Sequence, residues 1–100
     1  MERIVEVHPM NDYNVTVRFD DGYTAIVDVK PFIRGGISDQ LLDQDFFREV
    51  HVDDFNGICW KNGFDFCPNF LRQYISEKHI TKLHVNLNAL TCLVNSIYYA

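Results

Sequence analysis

The stretch YNVTVRFDDGYTAIVDV, Tyr13 to Val29, decides the fold. Tyr13, Val15, Val17 and Phe19 alternate with polar residues, and so do Tyr23, Ala25, Val27 and Val29 beyond the Asp20-Asp21-Gly22 break. Alternation of period two marks strands with one buried face. Two turns compete for the connection. A two-residue loop at Asp21-Gly22 would set Val15 opposite Asp28 and Val17 opposite Ile26. A three-residue loop pairs Phe19 with Tyr23, Val17 with Ala25, Val15 with Val27 and Tyr13 with Val29. Only the second gathers every apolar side chain on one face, and a one-residue slip would turn the whole set to water. The sequence therefore predicts a type I turn with Gly22 in the left-handed bulge position.

Upstream, Arg3 to Val7 is a further strand, stopped at Pro9, which has no N–H for a ladder. Downstream, Pro31 to Ile33 leave the sheet and Gly35-Gly36 break the chain. Ser38 is placed to cap a short helical turn carrying Leu41 and Leu42, and Asp43 a second one carrying Phe46 and Phe47. Val50 and Val52 alternate with His51 and Asp53. Asn56-Gly57 and Asn62-Gly63 are strong hairpin signals on either side of Ile58–Trp60, with Phe64 to Phe66 as a last strand. The register across Asn56-Gly57 stays open. A two-residue turn at Asn62-Gly63 pairs Trp60 with Asp65 and Cys59 with Phe66, and sends Cys59 and Cys67 to opposite faces. Pro68 suits a helix start, and Phe70, Leu71, Tyr74 and Ile75 share one stripe, which predicts a helix from about Pro68 to Lys78.

The expected architecture is α+β: a small, mainly antiparallel sheet of hairpins packed with the 68–78 helix and short helical turns at about 38–48. Residues 1–78 form one domain, and 79–100 an apolar extension with no Asp, Glu, Lys or Arg from Leu83 onward. Ile80, Leu83, Leu87, Leu90, Val94 and Ile97 fall at heptad-like spacings, while Val85, Leu87 and Ala89 alternate like a strand. We expect an extended stretch near His84–Asn88, a helix from about Ala89, and burial of the extension on its own domain or against a second copy in a homodimer.

The whole chain has 100 residues, 47% hydrophobic and 23% charged, enough for one core and far from the composition of a disordered chain. Its formal net charge of −5 and scattered Lys and Arg argue against direct nucleic-acid binding. No run of about 18 apolar residues predicts a membrane span. Three Cys without a close pair, and no signal-peptide pattern, point to a reducing cytoplasm.

From Asp12 to Ile33 (DYNVTVRFDDGYTAIVDVKPFI) and from Leu41 to Leu71 (LLDQDFFREVHVDDFNGICWKNGFDFCPNFL), the chain resembles the bacterial domain of unknown function family 2442. The second stretch carries the more specific pattern, in Leu42, Phe46 or Phe47, Val50, Gly57, Trp60, Asn62, Gly63, Asp65 and Pro68. The resemblance covers about the first 75 residues and implies a small α+β unit. Some members carry a helix-turn-helix domain after it. Others stand alone and are encoded beside a partner protein, in an arrangement suggestive of toxin–antitoxin pairs. No catalytic residues come with the resemblance. Lys61 stands where the family often has Pro, and the segment after Lys78 has no counterpart.

No catalytic or metal-binding constellation stands out. Cys59, Cys67 and Cys92 lack zinc spacings and are expected to be buried free thiols. His8, His51, His79 and His84 have no motif-level nucleophile beside them. The residues singled out for partner binding are Trp60, Asn62 and Asp65 on a hairpin, with Trp60 as anchor, and Glu49, Asp53 and Asp54. These three belong to a segment holding Asp39, Asp43, Asp45, Glu49, Asp53 and Asp54 against one Arg48. Packing of Trp60 in a tight hairpin, and plain helix capping and solvation by the carboxylates, are the alternatives. The expected function is a non-enzymatic protein-interaction module for a basic partner, with no cofactor, and antitoxin-like or regulatory by resemblance. A transcription-regulator component acting through a partner or dimer, and a small ligand-binding domain or enzyme, are the other classes.

Overall fold

A computed structural model describes the backbone of residues 1–87 and the side chains of residues 1–78. The expectations for Cys92, for the helix from Ala89 and for the packing of the 79–100 extension lie outside the described residues. Contacts divide the chain between Phe70 and Leu71 into two units, Met1–Phe70 and Leu71–Ala100, which are taken separately.

The first unit holds two three-stranded antiparallel sheets, where a single sheet was expected. In the first, β1 (Ile4–Pro9), β2 (Asn14–Phe19) and β3 (Thr24–Asp28) lie in sequence order. Val15 pairs with Val27 and Val17 with Ala25, the register expected from one-sided burial. Phe19 N donates to Tyr23 O at 2.8 Å and Gly22 takes φ +92°. Val15, Val17, Phe19, Val27 and Val29 are buried, as is Ile4 of β1. On the outer face Arg18 meets Glu6 at 3.0 Å and holds its carboxyl below the usual range, but in full solvent such a pair contributes little.

After β3 the chain runs through short 3-10 turns at Lys30–Phe32 and Gly36–Leu42 into α1 (Gln44–Phe47). Ser38 caps nothing. It sits inside the second turn, where its hydroxyl accepts from Arg34 N at 2.9 Å and donates to Gly35 O at 2.6 Å, tying the double-glycine loop shut. Asp43 caps as expected: its carboxylate accepts from Asp45 N at 3.0 Å. Asp43→Ala should cost about 1 kcal/mol, read as a lower urea midpoint at unchanged slope.

The second sheet is β4 (His51–Val52), β5 (Ile58–Cys59) and β6 (Asp65–Phe66). It meets the first where Ile4 N donates to Asn56 O at 2.8 Å. The β5–β6 register differs from expectation by one residue. Cys59 pairs with Asp65 and Ile58 with Phe66, while Trp60 N donates to Phe64 O at 2.9 Å. Gly63, at φ +96°, closes a three-residue loop, so Asn62-Gly63 is not the two-residue turn its composition suggests. The observed register puts Ile58, Trp60, Phe64 and Phe66 on one side. Trp60 would otherwise have faced Asp65. It also removes the basis for placing Cys59 and Cys67 on opposite faces. Neither thiol is buried: Cys59 is half-buried and Cys67 exposed.

The β4–β5 connection follows the same plan. Asp53 N donates to Gly57 O at 2.9 Å, Asn56 N to Asp53 O at 3.1 Å, and Asn56 takes φ +64°. Three hairpins thus share one loop class, with Gly22, Asn56 and Gly63 each in the left-handed third position.

α2 (Pro68–Leu87) begins at Pro68 and runs nine residues past the expected end at Lys78. His84–Leu87, expected to be extended, is helical. In the second unit Gln73 bonds Glu77 at 3.0 Å and Lys78 Nζ lies 5.6 Å from the Tyr74 ring centre. Such neighbours one helical turn apart stabilise the helix over Gln73 to Lys78. No helix among the described residues is long and apolar enough to cross a membrane.

Candidate functional site

The outer face of β4–β5–β6 carries one cross-strand row: His51 opposite Cys59, and Cys59 opposite Asp65. His51 Nε2 lies 3.2 Å from Cys59 Sγ, and its Nδ1 3.2 Å from Glu49 O. In the tautomer that carries its proton on Nδ1, the ring donates to the Glu49 carbonyl and accepts a hydrogen bond from the thiol. Partial burial pushes the Cys59 thiol above its ordinary pKa, and the Asp53, Asp65 and Asp54 carboxylates push it the same way. A reactive thiolate needs the opposite surroundings, an electropositive pocket that lowers the pKa. The Cys59 thiol is thus held in its protonated form beside the His51 ring. No three of His, Cys, Asp and Glu among the described residues gather as metal ligands would.

That electrostatic setting gives a direct test. In a chain with Cys67→Ser and Cys92→Ser, carbamidomethylation of Cys59 by iodoacetamide should accelerate only above the pH range of an ordinary thiol. Asp65→Asn removes one negative neighbour, lowers the thiol pKa and should move the rate profile to lower pH. An unmoved profile would contradict the carboxylate contribution.

The residues singled out from the sequence sort differently than expected. Trp60 is 1% exposed and is no surface anchor. Its Nε1 donates to Phe47 O at 2.9 Å, and its ring packs with Phe47, Phe64 and Phe66. Asn62 is structural as well. Its amide donates to Ile37 O at 2.9 Å and Gln40 Oε1 at 3.0 Å, and its Oδ1 accepts from Phe64 N. Asp53 pins its own turn, accepting from Phe55 N at 2.9 Å and Gly57 N at 3.0 Å. Asp54, Asp65 and Glu49 remain on the surface.

The residue missed from the sequence is Phe55, 83% exposed at the middle of the β4–β5 loop. At the matching position of the other two hairpins stand Asp21 and Asn62, and each caps its own loop by accepting from the residue two ahead. A Phe has no acceptor to offer, and Asp53 does that work from outside the loop. The turn therefore gives no local reason for an aromatic there. Phe55 flanks a cleft of about 220 Å³ whose wall includes Asp53, Asp65, Phe66, Cys67 and Pro68. Phe55, the adjoining cleft and the Asp53 and Asp65 carboxylates thus lie together on one face of the first unit.

The described residues form a small α+β fold. Residues 4–77 match the family described as a protein of unknown function, DUF2442, and the chain belongs to that family. No curated protein and no solved structure matches it.

Proposed function

We propose that this chain is a non-enzymatic protein-interaction module that holds a basic protein partner on the face formed by the β4–β5 loop and β6. The carrying observation is Phe55, 83% exposed where the equivalent loop positions hold self-capping polar residues. Buried aromatic anchors supply much of the energy in interfaces, and ringing carboxylates speed encounter with a cationic partner. Asp54 and Asp65 serve that role, and Glu49 extends the rim. Asp53 sets the loop that presents the ring, while Trp60 and Asn62 hold the neighbouring hairpin in shape. An antitoxin-like or regulatory accessory role is the form this takes in the light of the family. Unbridged Cys59 and Cys67 support a reducing, cytoplasmic setting.

A photoreactive benzoyl-phenylalanine at position 55, irradiated in cells that naturally carry the chain, should give one dominant adduct with a basic protein. Combined Asp54→Lys and Asp65→Lys should abolish it, and the same probe at the exposed Ile37 should not give it. An adduct indifferent to charge reversal, or equal at both positions, would refute the assigned face.

A further inference from the structure

β3 is the open edge of the first sheet, with β2 as its one strand neighbour among the described residues. Phe19 N donates to Tyr23 O and Val29 N to Tyr13 O, so the odd-numbered residues of this strand bond to β2. Alternation along an antiparallel ladder then turns the N–H and C=O groups of Thr24, Ile26 and Asp28 outward. Edges of this kind are ordinarily blunted by Pro, by Lys or by a bulge. The segment TAIVD contains neither residue and no register shift, and its central Ile26 is 62% exposed.

We propose that β3 pairs antiparallel with β3 of a second copy of this chain about a two-fold axis at Ile26. The strand is complementary to itself in that register. Ile26 faces Ile26 of the other copy, and Thr24 faces Asp28 in both directions, so all three outward-bonding residues meet outward-bonding residues. Ala25 and Val27, which bond to β2, fall together in the non-bonded positions. No like charges stand opposite each other, and Thr24, whose hydroxyl donates to Gly22 O at 3.3 Å within its own chain, can turn it to the facing Asp28 carboxylate. Registers slipped by two residues lose one of the three matched positions and move Ile26 off its partner. A two-fold contact of this type is isologous and closes at two copies. It joins two three-stranded sheets into one of six strands. Five residues a side is well below a standard interface of about 1,200–2,000 Å², so the pair is a weak, concentration-dependent one.

The test uses the full chain and reads the edge directly. Amide exchange of Thr24, Ile26 and Asp28 should slow several-fold from dilute to concentrated solution, while Gln73 of α2 stays unchanged. In an equal mixture of two differently labelled samples, an Hα–Hα contact should appear between Ala25 of one copy and Val27 of the other. Ile26→Pro removes an outward N–H without touching the β2 ladder and should abolish both signals at an unchanged circular dichroism spectrum. If that variant fails to fold, Ile26→Lys places two ammonium groups side by side on the axis and should have the same effect. Fast exchange of the three amides at every concentration would overturn the proposal. Protection persisting on dilution would also overturn it, since the chain's own residues would then cover the edge.

Discussion

Trp60→Ala should lower stability by about 3–5 kcal/mol, the range for removing a buried large aromatic side chain. For a small domain that is a large share of a total of about 5–15 kcal/mol. The melting temperature should fall by about 4–8 °C for each kcal/mol lost. The indole is 1% exposed and meets Phe47, Phe64 and Phe66 with ring centres 5.7–6.1 Å away. Those rings cannot all move in to fill the space, because Phe47 is fixed by α1 and Phe66 by β6. Trp60→Phe separates packing from the hydrogen bond. It keeps an aromatic ring but withdraws Nε1 from Phe47 O, which still accepts from Val50 N at 3.3 Å. The carbonyl is not orphaned, so the cost should be about 1–2 kcal/mol. Trp60 is the only Trp, so both variants are followed by far-ultraviolet circular dichroism in urea. A surface anchor would behave otherwise, weakening partner capture at wild-type stability.

The β2–β3 hairpin was legible because five or six residues a side give one-sided burial enough weight to select a register. The β5–β6 hairpin obeys the same demand, with Trp60 opposite Phe64. There the strands are two residues long, too short for the apolar pairing to stand out in the sequence against the backbone preference of Asn-Gly for a two-residue turn. The two Asn-Gly pairs divide their labour in opposite ways. At 62–63 the glycine takes the left-handed position, and at 56–57 the asparagine does. That choice follows from what lies above the chain, which no local pattern records. The same open register hid the His51–Cys59 contact, since it exists only if three residues close the β4–β5 loop. Phe55 did leave a trace in the sequence: an aromatic between Asp54 and Asn56, in a turn, with no alternating partner. The acidic segment was visible from composition, but which of its carboxylates are spent on structure was not. Asp43 caps α1 and Asp53 pins a loop, while Asp54 and Asp65 stay exposed on the surface. The end of α2 was missed because Asn86 and the alternating Val85 and Leu87 are poor helix signals that a helix already begun at Pro68 overrides.

Gly57→Ala should also be strongly destabilising, although the position is neither left-handed nor in the middle of a long element. A Cβ built on Gly57 overlaps the Phe66 carbonyl oxygen and comes within 3.0 Å of Pro68 Cδ. The first obstacle is backbone of β6 and the second a ring fixed at the start of α2, so neither can swing aside as a flexible side chain would. Relief needs β5 and β6 to separate, which strains the Ile58–Phe66 pair, or needs the loop to open. Opening the loop breaks the bonds of Gly57 N to Asp53 Oδ1 and of Asp53 N to Gly57 O. Overpacking typically costs about 1–3 kcal/mol, and rigid obstacles place this substitution at the upper end. Asn56→Gly is the control one residue away. It relieves a left-handed φ of +64° at an asparagine, against a more flexible unfolded chain, and should change stability by less than about 1 kcal/mol. A large loss at 57 beside near-neutrality at 56, measured by urea unfolding, would mean that the second glycine of this pair is there for the room it leaves. Equal tolerance at both positions would mean that β6 does not lie over Gly57 as described. Because the same loop presents Phe55, Gly57→Ala should reduce the charge-dependent adduct at position 55 even where the rest of the chain stays folded.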